Sequence, residues 1–458
     1  MLFKGNIYLK FFKGDDFVNK KTQDIFVSGL ALFAIFFGAG NLIFPPYLGV
    51  GSGDGWFSVM MGFLLADPVI PIVTVFITAF AGGRAVDLGK RVSPGFSKLL
   101  SLVAIICIGP AFAIPRTAAT THEVGVQPFL PNAPIFVTSL IFFAIAFALS
   151  YKESGVVDII GKYITPALLI FLALIIVKAI ISPVGEIVPV PHEGGLFVKG
   201  FYEGYQTLDA LAAPLFTGIV VADLVRKGYG EVSDRERKSF IVKVGIVCFV
   251  ALALVYGGLT YLGAQGSAIY TPDNSRVEIL VGLVGMLFGN FGKFALAVAV
   301  TLACMTTAVG LISAAGNFFA DISDGKIKYE YTVIVVTLIS FALSLIGVDA
   351  IIALAGPVLT IVYPVIIALV VYMMFEKHVQ YDMAFILMVA GVLVVAVIET
   401  VGGMVGLDSL VETIKGLPLG QFGFTWFVPS VVCFAVGWVL GKMGIGKTRD
   451  QHEQGGIF

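Results

Sequence analysis

Three stretches of this sequence set polar or backbone-breaking residues inside apolar surroundings. The first, FFGAGNLIFPPYLG at 36–49, places Gly38 and Gly40 on either side of Ala39, follows with Asn41, and then has Pro45 and Pro46. Proline removes a hydrogen-bond donor and clashes with the preceding turn, whereas glycine tolerates any backbone angle. The second stretch, GYQTLDALAAP at 204–214, carries Gly204, Gln206, Thr207, Leu208, Asp209 and Pro214. Both predict helices that unwind partway along. A helix restarting after such a break offers unpaired N–H groups and a positive dipole end to a carboxylate. The carbonyls freed on the other side suit a small hard cation. The third stretch, TLACMTTAVGLISAAGNFF at 301–319, puts Ala303, Thr306, Thr307 and Gly310 on one helical face, continued by Ser313, Ala314 and Asn317. Two hydroxyls and a loosened carbonyl there could hold a dehydrated Na⁺. The same spacing fits a small-residue seam whose threonines bond to their own preceding turn equally well.

Composition says what must position these stretches. Of 458 residues, 58% are hydrophobic and 13% charged, and mean hydropathy is +0.97. An ordinary soluble domain is about 25% charged. Such a chain belongs in a bilayer, where each helical crossing takes about 20 apolar residues. Hydropathy predicts an all-α polytopic membrane protein with twelve spans, at 25–49, 56–80, 97–121, 134–151, 160–181, 202–224, 239–262, 294–319, 331–347, 351–375, 383–403 and 425–441. The short stretch 278–290, with Gly282, Gly285 and Gly289, reads as a re-entrant or surface helix. The two breaks then fall in the first and sixth spans and the threonine stripe in the eighth. Irregular backbone at that depth is tolerated only where it lines a cavity or is buried in protein. Interrupted helices at corresponding places in two halves point to a transporter's midplane site.

Basic side chains favour the cytoplasmic face. With the N-terminus inside, 23 of the 29 Lys and Arg fall on inner segments, leaving Arg116, Lys178, Lys199, Arg276, Lys293 and Lys415 outside. This predicts cytoplasmic tails at 1–22 and 442–458, five-helix units at 23–182 and 200–376, an extracellular linker at 183–199 and two peripheral helices in 377–441. The first apolar run begins near Ile25 and lacks a small-residue cleavage site, so no cleavable signal is expected. Direct repetition between 25–181 and 202–375 is not visible. An inverted repeat is inferred because spans one and six start on opposite sides of the membrane.

Together, GAGNLIFPPYLG (38–49), GPAFAIPRTAATTHE (109–123) and GYQTLDALAA (204–213) resemble the motifs of the branched-chain amino acid:cation symporters, the system II carriers of bacteria, over about residues 23–441. The resemblance implies a leucine-transporter-like fold in the bacterial cytoplasmic membrane, with two inverted five-helix repeats and two peripheral helices. It implies import of leucine, isoleucine and valine with a cation, usually sodium. On that pattern the N–H groups of Gly38, Ala39 and Gly40 would take the substrate carboxylate, and Asn41 would fix the unwound segment or a cation. Sodium would be held by the carbonyls of Ala34, Phe37 and Ala303 and the hydroxyls of Thr306 and Thr307. Gln206 and Thr207 join the substrate set from the sixth span, with Phe37, Phe112 and Leu208 as apolar walls. The sixth span departs from the expected pattern after DALA, reading LAAPLFTG with Pro214 and Thr217.

Charges inside a membrane are costly and usually paired or functional. Asp67, Arg116 and Asp209 are candidates for a gate or ion pair, and Arg116 is also a candidate anchor for the substrate carboxylate. Glu123 and Glu399 sit near the outer ends of spans and are expected to reach the headgroups. Of four histidines only His122 lies near the core. Cys107, Cys248, Cys304 and Cys433 all lie in apolar runs without a CxxC or mixed Cys/His cluster, so neither disulfide nor structural metal is expected. A net charge of −1 offers no field for nucleic acid. No filter loop suggests a channel, and no nucleophile motif suggests an enzyme. No organic cofactor and no obligatory protein partner are expected. The alternative is a transporter of the same fold driven by H⁺ or carrying another neutral amino acid.

Overall fold

The computed structural model describes residues 5–83, 88–151, 156–192, 195–230 and 232–448, with side chains from Lys20 onward except at 156–165 and 404. The outermost parts of both expected tails lie outside the described residues, as do Lys4, Arg84, Lys152 and Arg449 of the basic set.

The first helices are α1 (Gly5–Phe36), α2 (Ala39–Val50), α3 (Trp56–Leu64), α4 (Ile70–Ala81), α5 (Pro94–Ile106), α6 (Ala113–Thr120), α7 (Ile135–Tyr151) and α8 (Val156–Ile181). After a linker come α9 (Leu196–Tyr205), α10 (Asp209–Leu224), α11 (Asp234–Gln265), α12 (Arg276–Ile322), α13 (Tyr329–Ser344) and α14 (Val348–Met373). Helices α15 (Asp382–Val401), α16 (Asp408–Lys415) and α17 (Phe427–Lys442) complete the chain. Among the described residues the only β-pairing is an isolated bridge between Tyr381 and Thr448. Six helices are long and apolar enough to cross a membrane, two bent pairs qualify jointly, and four shorter apolar helices accompany them. Large apolar side chains face outward all along them, Phe291 75% and Leu254 68% exposed, as a hydrocarbon solvent requires.

Local sequence sets the ends and breaks. Ser93, Ser233 and Ser275 each accept the N–H three residues on and so open α5, α11 and α12. In the last two the acceptor is followed by Glu236 or Glu278, the Ser-x-x-Glu pattern of a helix start. Pro68 and Pro110 interrupt their spans, and the residues between α3 and α4 and between α5 and α6 form wider turns at Leu65–Val69 and Cys107–Ala111. The two predicted breaks are present. The chain bends by 76° between α1 and α2 and by 49° between α9 and α10.

The elements differ from the expected bounds in four places. Helix α1 starts at Gly5, so most of the segment expected as a tail is helical; it contains no proline to stop the helix from running back. The linker ends sooner than expected, because α9 begins at Leu196 rather than after 199. The 278–290 stretch is joined to the eighth span in one element, broken at Gly289 with φ 61° and ψ −150°. It is no plain surface helix, since Val277, Ile279, Leu280, Leu283 and Val284 are buried. Helix α16 was not foreseen; at eight residues with one buried side chain it carries little apolar signal.

Two glycine seams fix the broken helices to their neighbours. A Cβ on Gly49 of α2 would strike the backbone of Thr260 and Ala264 in α11, and one on Gly263 would strike the Pro46 carbonyl. Between α3 and α9, Gly62 and Gly200 are pressed in the same way against the Phe197 and Val59 carbonyls. Overpacking of this kind costs about 1–3 kcal/mol or more. Gly263→Val is therefore expected to lower the melting midpoint of the detergent-solubilised protein clearly. Gly310→Ala, where an added Cβ meets nothing within 4 Å, should leave it unchanged. Equal midpoints for the two variants would contradict the seam.

Candidate functional site

The first break consists of Phe37 and Gly38, which lie outside helical geometry. In a continuous helix the Gly38 N–H would close on the Ala34 carbonyl; here it donates to Asn41 Oδ1 at 3.2 Å. The last carbonyls of α1 are thereby released, and the first N–H groups of α2, from Ala39 onward, have no helical partner. The second break runs from Gln206 to Leu208. Leu208 adopts a left-handed conformation with φ 70°, and the Thr207 hydroxyl donates to the Gly204 carbonyl at 2.8 Å.

Arg116 joins the two breaks. It comes from α6, is 4% exposed, and donates to the Gln206 carbonyl at 2.5 Å and the Thr207 carbonyl at 3.5 Å. Its guanidinium also lies 5.6 Å from the Phe44 ring centroid. Glycine at position 40 leaves room for this approach, because a Cβ there would stand 2.8 Å from Arg116 Nη2 and displace the guanidinium. Of the candidates for a gate or ion pair, Arg116 is held by these carbonyl contacts and has no salt bridge to Asp67 or Asp209 among the described residues.

Asn41 is the second hub. Its Nδ2 lies within hydrogen-bond distance of Asp67 at 3.0 Å, Asp209 at 2.9 Å and the Tyr256 hydroxyl at 2.5 Å. With Oδ1 accepting from Gly38, both polar atoms of Asn41 are engaged, and the side chain fixes the unwound segment. Asp67, Asp209 and Asn41 are all buried.

Between the hubs lies a cavity of about 40 Å³, bordered by Gly38–Asn41, Arg116, Thr207, Leu208, Asp209 and Thr307. Its apolar walls are Ile35, Phe36, Ile108, Leu208, Phe216 and Leu311. Of the expected walls only Leu208 is among them. Phe37 stacks on Phe33 at 4.9 Å and faces Tyr256 at 6.3 Å, and Phe112 is buried elsewhere. Gln206 contributes its carbonyl to Arg116, while its side-chain Oε1 is buried without a partner among the described residues. In α12, Thr307 reaches the cavity beside Ile35 and Gly38, while the Thr306 hydroxyl donates to the Ala303 carbonyl at 2.9 Å. Ala34, Phe37, Ala303 and Thr306 do not border the cavity. Their donor set, carbonyl and hydroxyl oxygens alone, is nonetheless one that a hard monovalent cation fits.

Three charged side chains expected near the surface or the core have structural partners. Glu123 accepts from the Val348 N–H at 2.9 Å and caps α14. Glu399 accepts from the hydroxyls of Tyr202 at 3.2 Å and Thr425 at 2.5 Å. Each carboxyl thus accepts from groups of a distant segment of the chain. His122 contacts the Thr138 hydroxyl at 3.0 Å, away from the cavity. Sequence reasoning missed Tyr256 and Arg276. A tyrosine within the apolar run of α11 was a visible signal. Arg276 is bonded to Asp349 at 2.9 Å and Glu203 at 3.1 Å and lies 4.1 Å over the Tyr47 ring, partners that are far apart in sequence and gave none.

Comparison with known proteins bears on this arrangement. A family model described as Branched-chain amino acid transport protein matches residues 21–443. The branched-chain amino acid permease BraB of Bacillus subtilis is 33% identical over 443 residues, covering 94% of this chain and 98% of the relative. The branched-chain amino acid transport system 2 carrier protein of Pseudomonas aeruginosa is 34% identical, with coverage of 94% and 98%. Among solved structures, Mhp1 in its inward-facing conformation matches with a TM-score of 0.59 at 10% identity, over 92% of this chain and 91% of that one. MhsT in complex with L-phenylalanine matches with a TM-score of 0.51 at 16% identity, over 89% and 98%. At such identities the likeness shows the fold, that of the leucine-transporter-like carriers.

The Asn41 hub makes a stability prediction. Asn41→Ala removes the shared donor from two buried carboxyls and the acceptor from Gly38. Leaving a buried polar group unsatisfied costs about 1–3 kcal/mol, so the melting midpoint is expected to fall sharply. A midpoint equal to wild type would show that the contacts are dispensable.

Proposed function

The chain belongs to the family of branched-chain amino acid transport proteins, and from that premise we propose that it imports leucine, isoleucine and valine together with Na⁺ by alternating access. It is a transporter, not an enzyme. The proposal includes twelve spans, counting the four shorter apolar helices with the six long ones and the two bent pairs, and cytoplasmic termini in the bacterial cell membrane.

One observation supports the substrate reading most directly. The start of α2, the Arg116 guanidinium and an apolar wall converge on one cavity. A substrate carboxylate fits against the N–H groups of Ala39 to Asn41, where the helix dipole favours negative charge, with Arg116 as a further positive group. The α-ammonium fits against Asp209 and the freed carbonyls. The branched side chain fits between Ile35, Phe36, Ile108, Leu208, Phe216 and Leu311. Leucine, isoleucine and valine differ by about a methylene, worth roughly 1–3 kcal/mol in such a pocket, so one site serves all three.

Cavity size supports alternating access. A water needs about 10–15 Å³ of such space, so 40 Å³ holds about three. An amino acid enters only when the helices around the breaks part. Two sets of contacts hold the bundle together at opposite ends. At one, Ser28 donates to Asp223 at 2.7 Å, Lys227 pairs with Asp223 at 2.9 Å, and Lys21 pairs with Glu236. At the other, Arg276 spans Glu203 and Asp349. Opening one set while the other holds is the physical content of alternation.

For the cation, the reading rests on Ala34, Phe37, Ala303, Thr306 and Thr307, an uncharged oxygen set at the end of α1 and on the facing stripe of α12. When bound, Na⁺ would tie α1 to α12 and favour the arrangement that accepts substrate. Coupling requires such differential affinity between conformations.

The test is uptake of labelled leucine into proteoliposomes under an imposed Na⁺ gradient or, separately, a pH gradient. Sodium-driven uptake is expected, reduced about tenfold or more in Thr307→Ala, equivalent to about 1.4 kcal/mol or more. Uptake indifferent to sodium would sink the cation site. Absence of leucine uptake under either gradient would sink the substrate assignment.

A further inference from the structure

Asp67 and Asp209 come from separate elements, the turn between α3 and α4 and the first residue of α10. Neither is needed for the cation set above, and both are buried. Asn41 Nδ2 reaches three oxygens, on Asp67, Asp209 and Tyr256, but an amide nitrogen has only two hydrogens. Because Asp67 Oδ2 and Asp209 Oδ2 lie 3.0 Å and 2.9 Å from the same nitrogen, the two carboxyls are close neighbours. Two carboxylates so placed repel, and neither can donate to the other. Asp67 Oδ1 is buried with no partner among the described residues, as is the Tyr363 hydroxyl, which faces the pair from α14 beside Thr207 and Ala210. The pair therefore has one carboxyl oxygen with no hydrogen directed at it and no ion-paired cation among the described residues.

The surrounding groups supply hydrogens to Asp67, from Asn41 and Tyr256, but no ion pair to either carboxyl. Those facing the pair are Asn41 from α2, Thr207 from the second break, Arg116 from α6, Cys248 and Tyr256 from α11 and Tyr363 from α14. Thr207 directs its hydroxyl hydrogen to Gly204. Arg116, the one cation in this group, directs its N–H bonds to the Gln206 and Thr207 carbonyls. Like charges this close, shielded from water, do not both ionise.

We infer that Asp67 and Asp209 share one proton, and that this proton leaves the pair when substrate docks, making the pair a proton-exchange site distinct from the α12 hydroxyls. This rests on the transport reading above. Asn41, Thr207 and Asp209 border the cavity, so an α-ammonium seated against Asp209 brings the positive charge that the shared proton had supplied. The proton passes to water through the opened cavity and returns when the amino acid leaves. No bond other than O–H is made or broken.

Calorimetry of leucine binding to the purified full-length protein in two buffers of different ionisation enthalpy counts the protons exchanged. Release of about one proton per leucine is expected for wild type. Asp67→Asn keeps the shape of the side chain and supplies its own hydrogens; it is expected to bind leucine while releasing none. Leucine binding by wild type with the same heat in both buffers would overturn the inference, whether or not the variant folds, and would leave the transport reading intact. Unchanged release from a folded Asp67→Asn would also overturn it. Absence of leucine binding by wild type in either buffer would overturn both readings together.

Discussion

Unpaired backbone in hydrocarbon is the constraint on which this structure turns. An amide or carbonyl without a partner costs several kcal/mol at membrane depth, and the chain breaks two of its helices there. Each break is answered by a side chain from another part of the sequence or a few residues on. Asn41 takes the stray Gly38 N–H, and Arg116 covers the Gln206 and Thr207 carbonyls. Other residues follow from these two. Gly40 leaves room for Arg116 to approach, Phe44 offers its ring face to the same guanidinium, and Asp67, Asp209 and Tyr256 gather around the Asn41 amide.

This accounts for the way polar groups are distributed. Many buried hydroxyls bond within their own turn, but the charged groups join helices distant in sequence: Glu123 to the start of α14, Glu399 to Tyr202 and Thr425, and Arg91 to Asp382 at 2.6 Å. The last two attach the α15–α17 region to the broken sixth span and to the connection after α4. The added helices are therefore pinned to the core at both ends by buried ionic or charge-assisted contacts, and between those pins by apolar packing against α14.

The sequence disclosed the breaks because their cause is local. Gly38, Gly40, Pro45 and Pro46, and the polar run from Gln206 to Asp209, disturb a helix whatever surrounds it. It also disclosed the helical class and nearly all the element positions, since a hydrocarbon solvent demands long apolar runs. It did not disclose which apolar residues face the cavity. Phe37 and Phe112 look as suitable as Phe36 and Phe216 in the letters alone, and only the 76° bend after Phe36 turns one phenylalanine to the cavity and its neighbour to Phe33 and Tyr256. The partners of buried charge were hidden for a related reason. Glu123 and Glu399 stand near span ends, where headgroups are the default, but the donors that claim them lie 225 and 197 or 26 residues away. The length of α1 was hidden because solubility and helicity are independent, and the lysine-rich segment before the first span satisfies both.

Leu208 is at once a wall of the cavity and the left-handed residue that turns the second break. That conformation costs a non-glycine residue roughly 1–2 kcal/mol, an expense that glycine would remove only by deleting the wall. Recognition and hinge are thus written into a single position. Evolution or engineering that enlarges or shrinks the side chain at 208 to suit a different amino acid must also alter the ease with which the sixth span bends. In this carrier, a change of taste at that residue comes with a change of tempo.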